Sequence, residues 1–286
     1  MLHAVRNVTI SNKVTGVGEY AIFDLYDANK ETKDRRLWKV TPENREEVLK
    51  MKGKILDFVL EESYYKGNKQ YRIISISAVE LTPEIIEQFV LKSTKSKEDL
   101  VKELSNTVAL IDKQIIKDFI LHVLFKYKNK FLFAPSASVH HHAYIHGNLE
   151  HSIEVALLAY EISKLYPDLD KDLIIAGALL HDIGKIYEYD VNGVINFTDR
   201  GKLEGHIAMG YHIINSCFDE FMSRLDEKSN ETNDFMEYFR MQLSHIILAH
   251  HGLEEYGSFK KPEIKEAFLI HHCDMLSAAL GGKHKQ

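Results

Sequence analysis

Residues 173–181, LIIAGALLH, most restrict what this chain can fold into, because they form a nearly continuous apolar run that ends directly on His181-Asp182. A segment that is apolar on every side reads as a helix enclosed by others rather than lying on a surface. Its end therefore lies in or beside a core, where an unpaired carboxylate is very costly. A divalent metal is a natural partner for both side chains, since imidazole offers a nitrogen and a carboxylate binds one metal or bridges two. Gly184 lets the backbone turn closely past this point, and Lys185 adds a cation suited to a phosphate oxygen. Standing alone, a His-Asp pair is more readily a capped helix with a satisfied histidine.

The pair does not stand alone. Of the 16 histidines, 13 lie between His140 and His272, a clustering that packing does not require and that metal coordination would in part explain. His151 sits in GNLEHS, His206 in LEGHIAMG, and His250-His251 end the apolar stretch SHIILAHH. Asp274 lies within AFLIHHCDMLSAAL, where an apolar helix has little reason to carry a carboxylate. In order these are His, His-Asp, His, His-His and Asp, nearly each from a different helix. Such a set can furnish two adjacent metals bridged by Asp182, an arrangement that activates a water and stabilises the leaving oxygen of a phosphoester. His140-His141-His142 and His146 read equally well as a substrate entrance or a solvated loop. His245, His271 and His272 occupy other angular positions on the ligand helices and read as structural. Cys217 and Cys273 form no CxxC pair and read as small buried hydrophobes.

Elsewhere the chain divides by periodicity. Residues 4–10, 19–26, 34–40, 54–65 and 70–79 are rich in β-branched and aromatic residues, with turn signals at Gly16-Val17-Gly18, Asp27-Ala28-Asn29 and Lys66-Gly67-Asn68. Short strands in this number suit a small closed or partly open barrel, oligonucleotide-binding (OB) or SH3-like. Thr82-Pro83-Glu84 marks a helix start. Ile115, Phe119, Val123 and Leu124 recur at helical spacing, and the charged run 92–103 reads as a solvated connector. From Phe131 onward the pattern is almost entirely helical, over 149–165, 173–181, 235–249 and 262–280. The expected fold is thus α+β and multidomain: a barrel over 1–80, a helical connector over 81–130 and an all-α domain over 131–286.

On the barrel, Tyr20, Tyr26, Trp38, Tyr64, Tyr65 and Tyr71 interleave with Arg35, Arg36, Lys39, Lys66, Lys69 and Arg72. Aromatic faces beside cations suit single-stranded nucleic acid, although half of these rings would serve equally as barrel core. The net charge of -6 argues against tight, nonspecific duplex binding. No stretch approaches a membrane span and the N-terminal residues lack the apolar segment of a signal peptide, so a cytoplasmic protein without membrane partners is expected.

Four stretches carry a family resemblance: FLFAPSASVHHHAYIHGNLEHS, LYPDLDKDLIIAGALLHDIGKIYEY, LEGHIAMG and LAHHGLEEYGSFKKPEIKEAFLIHHCD. In this order, behind a barrel, they resemble the HD superfamily of metal-dependent phosphohydrolases and, more narrowly, the YhaM-type 3′-5′ exoribonucleases, over almost the full chain. The resemblance implies a small OB-like barrel followed by an HD-domain helical bundle. It implies His151, His181, Asp182 and Asp274 as metal ligands, and His206, His250 and His251 as completing a second metal position. Asp182 and Lys185 would be catalytic, with Lys185 at the scissile phosphate. It implies manganese, with iron or another transition metal left open, and single-stranded RNA or DNA as the substrate, cleaved to nucleoside monophosphates. One departure is MLSAAL at 275–280, largely apolar where the family usually places polar residues. The residues themselves also fit a phosphohydrolase of small or cyclic nucleotides, or a nucleic-acid-binding protein with a structural metal site. Homo-oligomerisation is compatible with the sequence, and nothing in it specifies the state.

Overall fold

The computed structural model describes all residues except 14–16, 29–31, 66–67, 139–141, 226–228 and 282–286, and not the side chains of 32–35, 38 and 65. His140 and His141, the turn residues Gly16, Asn29, Lys66 and Gly67, and the side chains of Arg35, Trp38 and Tyr65 therefore lie outside the described residues. The chain divides into two compact units, Met1–Leu91 with Val191–Asn196, and Lys92–Asp190 with Phe197–Gln286.

In the first unit β1 (Leu2–Asn12), β2 (Glu19–Tyr26), β3 (Thr32–Val40), β4 (Ile55–Tyr65) and β5 (Asn68–Ser77) close a barrel in the OB-like order β1-β2-β3-β5-β4. Neighbours are antiparallel except β3 and β5, which pair in parallel through Arg35–Tyr71 and Arg36–Arg72. Alternation decides the faces. Ala21, Phe23 and Leu25 point inward against Val5, Val8, Phe58 and Ile73, while Tyr20, Ile22 and Asp24 stay half-buried. Tyr26 is not a surface platform. Its hydroxyl donates to the Gly193 carbonyl, its ring meets Phe89 edge-on, and burial raises its pKa. Two helices accompany the strands. α1 (Arg45–Leu49) buries only Val48 and is too short to leave a periodic signal. α2 (Pro83–Phe89) starts as the sequence indicates, with the Thr82 hydroxyl accepting from the Ile85 amide at 3.4 Å.

The second unit is helical. It contains α3 (Lys97–Ala109), α4 (Gln114–Lys126), α5 (Lys128–Phe133), α6 (Gly147–Ser163), α7 (Lys171–Leu180), α8 (Lys185–Glu188), α9 (Asp199–Leu203), α10 (Gly205–Ser223), α11 (Asn230–Ala249) and α12 (Lys265–Leu280). Every residue of α7 from Asp172 to Leu180 is buried, as its composition demands. The buried Asp172 is satisfied by the amides of Asp112 and Lys113, at 2.8 and 2.9 Å.

One expectation fails. The charged run 92–103 is not simply a solvated connector: Ser96 caps α3, accepting from the Asp99 amide at 3.0 Å, and Leu100 lies in the same core as Phe119 and Leu173. Leu100, Leu104 and Val108 form a thin apolar stripe four residues apart, which the surrounding charges conceal in the linear sequence. The C-terminal half is almost entirely helical, as its pattern indicates, with one short addition. β6 (Tyr189–Val191) and β7 (Ile195–Phe197) form a small hairpin around Asn192-Gly193, with Gly193 at φ 89°. An Asn-Gly pair is a readable hairpin signal that the flanking helices overshadow.

Because Leu100 sits in the main core, Leu100→Ala is expected to cost about 2–5 kcal/mol, read by chemical denaturation. A solvated connector would give less than about 0.5 kcal/mol.

Candidate metal centre

The apolar α7 ends at Leu180, and the chain runs on, still fully buried, into His181 and Asp182. Asp182 is 1% exposed and lies between two groups of imidazoles. Its Oδ2 is 3.3 Å from His181 Nε2 and 3.6 Å from His151 Nε2 on α6. Its Oδ1 is 3.5 Å from His206 Nε2, at the start of α10, and 3.6 Å from His250 Nε2, just beyond α11. Asp274 on α12 brings Oδ1 to 3.0 Å from His151 Nε2 and 3.9 Å from His181 Nε2. The donor atoms form two groups, His151 with His181 and Asp182, and His206 with His250 and His251, each within 4.8 Å. All seven residues expected as metal ligands thus converge, one Asp182 oxygen facing each group.

Gly184 makes this convergence possible. A Cβ there would overlap the carbonyl oxygen of His206, so only glycine lets the 182–185 turn lie directly on the first turn of α10. Lys185 is buried, its Nζ 2.7 Å from Asp182 Oδ2 and 3.3 Å from Ser136 Oγ. Asn148 donates to the Asp182 carbonyl at 3.2 Å.

Each imidazole is held from behind. Nδ1 of His181, His250 and His251 lies 2.7 Å from the carbonyls of Ala178, Ile247 and Tyr256. Nδ1 of His206 is 2.9 Å from Glu188 Oε1, and that of His151 is 3.0 Å from Ser277 Oγ. A carbonyl or ionised carboxylate only accepts, so Nδ1 carries the proton in the first four and Nε2 is left to face inward. Outer hydrogen bonds of this kind orient histidine ligands at metal sites.

Charge in the site is tuned in the same direction. Burial alone would raise the Asp182 and Asp274 carboxyls. Lys185 and His181 outweigh it for Asp182, and His151 and His181 for Asp274, so both stay ionised well below the usual carboxylate range. Burial lowers His151 and His250, and with the neighbouring His250 brings His251 down to about 4. Burial opposes charge on His181 too, but Asp182 and Asp274 raise it. Glu188 would also be raised by burial, and His206 brings it below its ordinary value.

The residues fit a bound cation. Asp182 Oδ1, His206 Nε2 and His250 Nε2 are buried side-chain atoms with no hydrogen-bond partner among the described residues. Leaving such atoms unsatisfied costs about 1–3 kcal/mol each. A divalent ion between them would satisfy all three, and the nitrogen and carboxylate donor set suits a transition metal.

Residues 148–279 match the family model of the HD domain. The second unit carries an HD domain. All seven convergent residues and Lys185 fall inside the matched stretch. No solved structure matches the chain. HD domains are metal-dependent phosphohydrolases, and the geometry around Asp182 provides for a divalent metal.

Some of the remaining residues resolve differently from their sequence patterns. His142 is buried at φ 52°, with Nε2 3.2 Å from Glu154 Oε2, and is not solvated. His146 is buried with Nδ1 against the Leu132 carbonyl. His271 contacts the His250 carbonyl through Nδ1 at 2.7 Å, His245 accepts from the Glu263 amide at 2.9 Å, and His272 stacks edge-on against Phe268. The apolar look of 275–280 misleads: Met275, Leu276 and Leu280 face outward, while Ser277 is buried behind His151. Ser136, Asn148, Glu188 and Ser277 were not foreseen. Two of them left a signal, since Glu188 and Ser277 each stand three residues beyond Lys185 and Asp274, one helical turn away on the same face.

Asp182→Ala is expected to abolish binding at both positions, whereas Asp274→Ala should remove only the ion beside His151 and His181. Elemental analysis of the purified variants counts the metals directly. Metal-free protein should also lose stability on acidification. His151, His250 and His251 take up protons in the folded state only below the ordinary 6.5, so the unfolded chain binds more protons between 6.5 and the folded values, about 4 for His251. Stability present above pH 6.5 is lost as pH falls through that window, partly offset by the raised His181. Thermal melts in chelator from pH 7 to pH 4 read the effect.

Proposed function

We propose that this protein is a metal-dependent 3′-5′ exonuclease that hydrolyses phosphodiester bonds of single-stranded RNA or DNA to nucleoside monophosphates. The observation that carries the reading is an OB-like barrel with exposed aromatic and cationic side chains in the same chain as the HD centre. Tyr64 is 68% exposed, Lys69 Nζ lies 5.3 Å from the Tyr71 ring centroid, and the Arg36 guanidinium lies 5.8 Å from that of Tyr20. Rings beside cations offer stacking to any base and charge to the backbone, each stacked base contributing roughly 1–3 kcal/mol.

His151, His181, Asp182 and Asp274 would hold one divalent ion, and His206, His250 and His251 with Asp182 a second; manganese is the proposed metal. When bound, such ions supply Lewis acidity at a phosphoryl oxygen and lower the pKa of water. Asp182 would lie between the two positions, and the Nδ1 contacts hold the imidazoles with Nε2 turned inward. Lys185 contributes a buried positive charge beside Asp182, which we assign to the oxygens of the scissile phosphate.

A second reading, a phosphohydrolase of small or cyclic nucleotides, draws support from the opening of the site. A cavity of about 320 Å³ is lined by His251, Tyr256, His271, Asp274 and Met275, without a lysine or arginine among the described residues. Glu254 and Glu255 adjoin it in the chain. Such a mouth does little to attract a long polyanion.

Incubation with 3′-labelled single-stranded RNA and Mn²⁺ should release labelled mononucleotide, and chelator should stop it. Lys185→Ala should lower kcat about 100-fold with metal content retained, as for loss of a charge-stabilising donor. No release from RNA or DNA by metal-replete protein, with hydrolysis of free nucleotides in a parallel panel, would overturn the exonuclease in favour of the second reading.

A further inference from the structure

A single hydroxyl determines how His151 presents itself to the centre. Ser277 stands on α12 and is 2% exposed. Its Oγ donates to Glu154 Oε2 at 2.9 Å and lies 3.0 Å from His151 Nδ1. Burial alone would raise the Glu154 carboxyl, but His142 and Ser277 bring it below its ordinary value, so it is an acceptor only. A serine hydroxyl has one proton. With that proton committed to Glu154, Ser277 can only accept from His151. Nδ1 of His151 therefore carries a ring proton, which leaves Nε2, 3.0 Å from Asp274 Oδ1, 3.6 Å from Asp182 Oδ2 and 3.3 Å from His181 Nε2, as the nitrogen that would offer its lone pair to a cation placed among them.

Behind Ser277 the chain of contacts continues. His142 Nε2 is 3.2 Å from Glu154 Oε2. The His142 carbonyl accepts from the amides of Ser136 and Tyr144, at 3.1 and 2.9 Å, and Gly147 leaves room for it, since a Cβ there would overlap that oxygen. Ser136 in turn contacts Lys185. The histidines around Asp182 differ in how they are held: His181, His206, His250 and His251 rest on acceptors that cannot reverse, whereas His151 rests on a hydroxyl that could donate instead. Glu154 removes that freedom.

We propose that Ser277 and Glu154 are positioning residues that select the Nε2-ligating form of His151, and so set the affinity of the Asp274 side of the centre for a divalent cation. This rests on the metal reading of the site.

The test is a Mn²⁺ titration of metal-stripped full-length protein by calorimetry, in which the binding event that Asp274→Ala removes marks the affected position. Ser277→Ala should weaken that event about 10- to 100-fold, the usual effect of losing an outer hydrogen bond to a ligand. The other event and the melting temperature of the metal-free protein should be little changed. Ser277→Thr, which keeps the hydroxyl, should restore binding to near the parent value, and Glu154→Gln should fall between. Affinity within twofold of the parent for Ser277→Ala would overturn the proposal. So would Ser277→Thr binding as weakly as Ser277→Ala while melting like the parent. Should Ser277→Ala fail to fold, Glu154→Gln decides, and affinity within twofold of the parent overturns it. A parent protein that binds no metal removes the metal reading itself, a result distinct from either.

Discussion

The carboxylate of Asp182 is the group on which the second unit depends. It is nearly fully buried and ionised, a state whose desolvation costs several kcal/mol unless charge of opposite sign surrounds it. That charge comes from Lys185 on one oxygen and from the raised pKa of His181, and a cation held by the remaining imidazoles would add to it. The apolar α7 is what delivers it there. A helix buried on every face has one place to put polar groups, its end, and the Gly184 turn then brings that end against α10.

The arrangement is preorganised from outside rather than by the site residues themselves. Backbone carbonyls one turn earlier hold His181 and His250, so the same helix ends that supply these imidazoles also orient them. Glu188 accepts from both the amide and the ring of His206, placing a carboxylate at the start of α10 and fixing the imidazole at once. Rings held this way lose little further freedom when an ion arrives, so less of the binding energy is spent on ordering them.

Much of this was legible in the linear sequence. The apolar run into His181-Asp182, the intrusion of Asp274 into an apolar helix, and the histidines at His151, His206, His250 and His251 were chemically conspicuous because buried polar groups require partners. The barrel strands were legible from alternation, and α2 from its Thr82-Pro83 start. What stayed hidden was short or masked by its surroundings. α1 and the β6–β7 hairpin have too few residues to show a period, and the core stripe of α3 is diluted by charges. The roles of Ser136, Asn148, Glu188 and Ser277 are set by neighbours distant in the chain, as with Ser277 and His151, 126 residues apart.

By itself the sequence determined which residues had to be buried with partners, and hence that a cluster of histidines and aspartates would lie at the end of an apolar helix. That follows from desolvation, which depends on residue type and local pattern. Only the tertiary structure decided that Asp182 presents a different oxygen to each group of imidazoles, that Lys185 lies on Asp182, and which nitrogen of each ring faces inward. Those are distances of 3–4 Å between separate helices, and helical periodicity states which face of a helix is buried without stating what it meets.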